Sequence, residues 1–298
     1  MEDVDAAFAL VREIQTADYG APQFTREDMG VAWKLTDLRN VWLIEDEEGA
    51  LVAFGAIRPR HPTRLRTFAG VAPEHRGRGI GSFLLGLIEG RSRELAAEAP
   101  AGETVMIGQD VGQLNTDAGP LLERLGYRLA RKFWQMGIDL GDKPPEPQVP
   151  EGVVIEPMRE GTEQEIFETS EEAFRDHWDY VPHDYDEWRA WMVERPSFDP
   201  SLWLVAYDGE QVAGSSLNFV EPGEAWVGVL SVLRPWRRRG LGLALLHASF
   251  REFRRRGIPK AMLGVDAENI TGATRLYERA GMHVVRESSV YWKEVSRS

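Results

Sequence analysis

The chain has 298 residues, 43% hydrophobic and 28% charged, with a formal net charge of −13 and no cysteine. This length suits two ordinary domains, and the composition excludes a disordered chain. The acidity, shared by both halves, argues against general nucleic-acid binding, and the missing thiols exclude disulfides, thiolate metal sites and a cysteine nucleophile.

The opening "MEDVDAAFALVREIQ" begins acidic and has no long apolar run, and no later stretch has the length of a membrane span. The expectation is a cytoplasmic protein with neither nucleic acid nor membrane as partner. Two helices are predicted at about 3–17 and 25–38, then a hairpin over 41–57 and a strand "RLRTFAGV" at 64–71. A loop with Arg76, Gly79 and Gly81 leads into a helix from Ser82. A strand "VMIGQDV", a short helix "AGPLLERLG" and a strand "YRLARKFWQMGI" complete the half. Four prolines in "GDKPPEPQVPEG" suit neither helix nor central strand, so 143–150 reads as a linker between domains 1–142 and 151–298.

The second half repeats the plan with an added opening strand, "GVVIEPM". Helices follow over 162–178 and 185–195, the first with Thr162 and Glu165 spaced as a capping box. A hairpin turning at Asp208-Gly209 precedes the strand "EAWVGVLSVL". A loop with Arg237, Gly240 and Gly242 opens the helix "LGLALLHASFREFRRRG", whose Leu241, Leu245, Leu246, Phe250 and Phe253 share one face. The basic run 254–257 lies at that helix's C-terminus, where cations favour the dipole. A strand, the helix "TGATRLYERAG" and a last strand end the chain. Such a duplication of about 150 residues predicts an α+β fold of two similar units, each a mixed, mostly antiparallel sheet flanked by helices.

Both loops read Arg-x-x-Gly-x-Gly between a strand and a helix. The first N–H groups of a helix lack partners there and its dipole favours an anion; glycine permits close approach and arginine can clamp phosphate oxygens. The forecast is a pyrophosphate site. Neither loop carries the Gly-Lys-Ser/Thr of a nucleotide-triphosphate loop or completes Gly-x-Gly-x-x-Gly.

The order strand, Arg-x-x-Gly-x-Gly, helix, strand and then "NITGATRLYERAG" resembles the GNAT superfamily of acyl-CoA-dependent N-acetyltransferases. The resemblance implies acetyl-CoA as cofactor, its pyrophosphate held by Arg237, Arg238, Arg239, Gly240, Leu241 and Gly242. It implies that Leu230, Ser231 and Val232 pair with the pantetheine arm, that Asn269 lies near the thioester, and that Tyr277 protonates the leaving thiolate. The counterparts in the first half are Val71, Arg76, Gly77, Arg78, Gly79, Ile80 and Gly81. There Leu122 replaces the tyrosine, Pro120 enters the helix and Asn115 is one residue out of register, so the first copy is expected to lack the chemistry, either binding coenzyme A without it or merely supporting the fold. Tandem architecture of this kind is similar to the mycothiol synthases, an actinobacterial branch of the superfamily.

Aminolysis of a thioester also needs a proton acceptor. Glu224 is the candidate base, on the expectation that 224, 226, 228, 230 and 232 share a strand face; bulk water through an ordered chain is the alternative. His177 and Trp178 are candidate acceptor contacts, because the family's first two helices shape that site. The alternative is an apolar helix seam of Phe174, Trp178 and Trp188. His177 and His183 lack the spacing of a metal site, so no metal is expected. Asp266 either orients the asparagine or is an ordinary strand-end carboxylate. The expectation is direct attack by a primary amine of a small molecule in the second half; the alternative is a non-catalytic acyl-CoA-binding regulator. Oligomeric state is left open.

Overall fold

The computed structural model describes residues 2–221 and 223–296. It divides into two compact units, Met1–Lys132 with Glu287–Ser298, and Phe133–Arg286. The units therefore do not follow the duplicated sequence. The last strand of the first repeat runs into the second unit, and the last strand of the chain belongs in its final half to the first.

In the first unit α1 (Glu2–Tyr19) and α2 (Arg26–Leu35) precede β1 (Val41–Glu45), β2 (Leu51–His61), β3 (Arg64–Val71), α3 (Ile80–Glu98), β4 (Met106–Gly112) and α4 (Ala118–Arg124). Thr25 and Asp28 cap α2 reciprocally. The strand order is β1-β2-β3-β4, completed by β11 (His283–Glu294), whose Ser288–Glu294 pairs antiparallel with Gly112–Met106. All neighbours are antiparallel except β3 and β4. One face packs on α3 through Ile57, Leu65, Leu84, Ile88 and Ile107; the other meets α1 through Leu10, Ile14 and Phe54.

The second unit repeats this order with an extra edge strand. It holds β6 (Val153–Pro157), α5 (Glu163–Phe174), α6 (Tyr185–Met192), β7 (Trp203–Asp208), β8 (Gln211–Glu221), β9 (Glu224–Val232), α7 (Leu241–Arg255), β10 (Lys260–Asp266) and α8 (Ala273–Arg279). Strand order is β6-β7-β8-β9-β10, completed by β5 (Arg128–Asp139), whose Phe133–Asp139 pairs with Asp266–Lys260. Only β9 and β10 are parallel. The predicted face of α7 is buried as read, with Leu241, Leu245, Leu246, Phe250 and Phe253 all inaccessible.

Two local expectations fail. Thr162 makes no capping bond: its hydroxyl donates to the Arg159 carbonyl, and Glu165 accepts from the Val212 N–H instead. Helix α5 also stops at Phe174, short of 178, because the Arg237 guanidinium takes the free Ala173 carbonyl of its last turn. The Pro-rich stretch has neither helix nor strand, as expected, but it runs along α7, with Arg251 bonded to the Pro144 carbonyl and Glu146 and Arg254 to Asp142.

Candidate active site

A fork in the second sheet organises the site. Strand β9 pairs with β8 from Glu224 to Val232, but with β10 only over Ala225–Val227. Beyond Val227 the two parallel strands part, and the main-chain groups of Gly228–Val232 on that side have no strand partner among the described residues. Gly228 is a bulge: Val227 opposes Asn218 and Val229 opposes Leu217, leaving Gly228 unpaired. A Cβ at Gly228 would come within 2.8 Å of the Phe219 ring, so glycine is required by close approach. Across the fork Gly264 is exposed and faces open space.

The bulge overturns the predicted shared face, because one extra residue reverses the alternation beyond it. Ala225, Val227, Leu230 and Val232 join the clusters under α7, whereas Val229 packs with Ile166 of α5 and Ser231 bonds Ser215 at 2.9 Å. Glu224 is thus on the face opposite Leu230 and Val232. Its carboxylate accepts from Trp226 Nε1 at 3.1 Å and lies 3.7 Å from Lys260 Nζ. Four residues of strand put it about 13 Å from Gly228 along β9.

The glycine loop has the expected anion-binding form. Arg238 has φ 63° and Gly240 φ 85°, and α7 begins at Leu241 with no side-chain cap. Alternating left-handed residues ahead of a helix make a nest of N–H groups, and Leu241, Gly242 and Leu243 form the first turn, whose amides have no intrahelical acceptor. Arg238 and Arg239 are exposed at its mouth.

The Arg237 guanidinium is engaged by protein groups. Its Nε donates to the Val232 carbonyl at 3.0 Å, Nη1 to Asp176 at 3.1 Å and Nη2 to the Ala173 carbonyl at 2.9 Å, and Asp176 also takes Arg234. The guanidinium staples the loop to the end of α5, because strand and helix each leave a carbonyl free at that junction. Gly242 likewise serves packing: a Cβ would meet Leu276 Cδ2 of α8 at 3.1 Å.

Tyr277 of α8 packs with Val227, Leu263 and Val265, the residues at which β9 and β10 part. Its hydroxyl has no hydrogen-bond partner among the described residues, and burial pushes its pKa up to about 12. It is therefore a protonated donor at neutral pH. Asn269 uses its side-chain oxygen locally, accepting from the N–H groups of Thr271 and Ala273 and the Thr271 hydroxyl, which builds the loop into α8. His177 stacks near Phe174 at 4.3 Å, and its pKa is lowered by burial, against the opposing pull of Asp266. Trp178 reaches Phe133 of β5 at 6.2 Å, while Trp188 joins Phe167 and Trp203. Asp266 accepts from the Glu268 N–H at the strand end.

The first-unit loop has the same local build. Gly77 and Gly79 have φ 75° and 86°, Ile80 opens α3, Arg78 bonds the Glu74 carbonyl, and Gly81 approaches Leu121. Arg76 donates to the Val71 carbonyl and to Asp18, as Arg237 does to Val232 and Asp176. Sequence reasoning missed Asp18, Asp176 and the Gly228 bulge. An aspartate at the end of each copy's first helix was the available signal.

Comparison with known proteins agrees with this geometry. The profile of the Acetyltransferase (GNAT) family matches residues 163–282, and an Acetyltransferase (GNAT) domain matches 37–129. A mycothiol acetyltransferase of Geodermatophilus obscurus is 34% identical over 221 residues, 71% of this chain and 68% of that one. A second, of Saccharopolyspora erythraea, is 28% identical over 91% of this chain and 95% of its own. The crystal structure of a GCN5-related N-acetyltransferase from Sphaerobacter thermophilus is 34% identical, with TM-score 0.82 over 99% of this chain and 93% of that one. The chain is a tandem GNAT acetyltransferase. As such it is an enzyme that transfers acetyl from acetyl-CoA to an amine. In this GNAT chain the second unit fits that cofactor: an open fork, free first-turn amides and a buried donor lie along one line of elements. Among the described residues no helix is long and apolar enough to cross a membrane.

Proposed function

We propose that the second unit is the transfer site and that its acceptor is the primary amine of a small cytoplasmic molecule. One observation carries this reading: the partnerless, protonated Tyr277 hydroxyl at the base of an open fork, which the first unit replaces with Leu122. Acetyl-CoA, when bound, supplies an activated thioester. The amides of Arg238–Gly242 would hold its pyrophosphate, and the fork-side main chain of Leu230, Ser231 and Val232 its extended arm. Asn269 has its amide nitrogen left for the same ligand. Preorganised main-chain donors of the bulged strand polarise a carbonyl, and Tyr277 Oη holds the proton a departing sulfur needs. His177 and Trp178 line the acceptor side, with His177 kept neutral by burial. Direct attack fits, since no cysteine is present to carry an acyl group; the attacking amine gives up its proton to Glu224 or, through a chain of water, to solvent.

The likeness to mycothiol acetyltransferases favours the amine of a cysteinyl conjugate as the narrower reading. Thiol release from acetyl-CoA, followed across a panel of small amines including such a conjugate, tests both. Turnover on several simple amines but not the conjugate rejects the narrower reading. Coenzyme A binding without turnover on any amine rejects the enzyme assignment for the second unit.

A further inference from the structure

The fork of the first unit is closed by its own chain. Strand β3 pairs with β4 over Arg64–Thr67 and then parts from it, as β9 parts from β10. Helix α1, however, crosses the opening. Over β3 it settles where Gly70 leaves room, since a Cβ there would lie 2.8 Å from Ile14 Cγ2. Over β4, a Cβ on Gly112 would collide with the Asp18 carbonyl and lie 2.9 Å from the Tyr19 ring. That carbonyl accepts from the Leu114 N–H just beyond β4 at 3.0 Å.

The closure is sewn from both sides. The Asp18 carboxylate accepts from Arg76 Nη2 at 2.7 Å and from Asn115 Nδ2 at 3.1 Å, so groups of the loop and of the pre-α4 turn are both committed to α1. Arg66 of β3 bridges to Asp110 of β4 at 2.6 Å, and Thr67 donates across to the Gly108 carbonyl and Gln109 side chain. The Tyr19 phenol is buried, and burial together with Asp110 and Asp18 pushes its pKa far up. A neutral ring thus lies beside a paired Arg66–Asp110, where the second unit has Trp226 and the open Gly264.

The contrast comes down to a few side chains. By the match of Val71 with Val232 and the register of the parallel pairs, Gly70 corresponds to Ser231 and Gly112 to Asp266. Ser231 and Asp266 carry side chains at these positions, Ser231 bonding Ser215 of β8; α5 packs on β8 and β9, whereas α1 packs on β2, β3 and β4.

We infer that the first unit binds no coenzyme A, its cleft being filled by Asp18 and Tyr19, and that the chain carries a single coenzyme A site. The closure rests on the first unit's geometry alone; the single remaining site rests on the reading of the second unit given above. The retained Arg-Gly loop then serves architecture: Arg76 staples α1, and Gly81 seats α3 against Leu121.

The test uses the full chain and coenzyme A itself. Equilibrium dialysis should give one coenzyme A per chain, and hydrogen–deuterium exchange at saturation should slow in 226–243 and stay unchanged in 66–82. Two exposed, matching arginines separate the loops without threatening the fold: Arg239→Glu should weaken binding at least tenfold, and Arg78→Glu should leave it unchanged. A stoichiometry of two, protection within 66–82, or weakening by Arg78→Glu overturns the inference. No binding at all upholds the closure and overturns instead the assignment of the second unit.

Discussion

Tyr277 and Arg237 carry the sharpest residue-scale expectations, and they differ in kind. The Tyr277 hydroxyl makes no bond to the described protein, so Tyr277→Phe should leave the melting temperature nearly unchanged while lowering kcat by roughly 10²-fold. With its pKa raised from 10 to about 12, the phenol loses no protons below pH 10. The alkaline limb of the kcat profile should therefore not fall before that. The sign for stability follows: the folded state holds this proton more tightly than the unfolded one, so the contribution is intact below pH 10 and lost as pH rises through 12. A tyrosine limb near neutrality would contradict the buried donor. Arg237 should behave in the opposite way. Arg237→Gln breaks bonds to Val232, Ala173 and Asp176, and charged hydrogen bonds of this type are worth about 1.5–3 kcal/mol each before exposure discounts them. A lowered melting temperature in the ligand-free protein is expected. If coenzyme A affinity falls while that temperature holds, the staple is wrong and the clamp is restored.

At the scale of elements, the sequence revealed whatever rests on period and punctuation. Both Arg-Gly loops and the buried stripe of α7 follow from local signals that tertiary packing reinforces. What it concealed is non-local. The Gly228 bulge depends on how β9 registers with β8, and a period-2 reading of "EAWVGVLSV" crosses it unawares, which put Glu224 on the wrong face. Gly242 read only as a phosphate contact, and its missing side chain is needed besides by Leu276 of α8. Gly242→Ala tests that packing. A Cβ 3.1 Å from Leu276 Cδ2 forces a small shift of the helix carrying Tyr277, so kcat should fall several-fold with coenzyme A affinity nearly kept. A loss confined to affinity would mean that Gly242 acts at the phosphate site and not through this packing.

For the whole molecule, duplicated sequence and compact units are offset by one strand. A linker read from four prolines predicts that each repeat folds within its own boundaries, yet β11 closes the first unit with residues that follow the entire second repeat. Val290, Trp292 and Val295 are buried there; a Cβ on Gly108 would meet the Trp292 ring at 3.1 Å, and Arg66 lies above its face. Folding of the first unit thus waits on the end of the chain, because its sheet lacks an edge until β11 is available. Trp292→Ala removes a large buried ring at a cost of about 3–5 kcal/mol. That loss should fall on the first unit: amide exchange should accelerate in 41–71 and 106–112 and remain as it was in 203–221. Chain order alone predicts the reverse, since Trp292 lies in the second repeat. Faster exchange confined to 203–266 would mean that β11 stabilises the unit it follows in sequence.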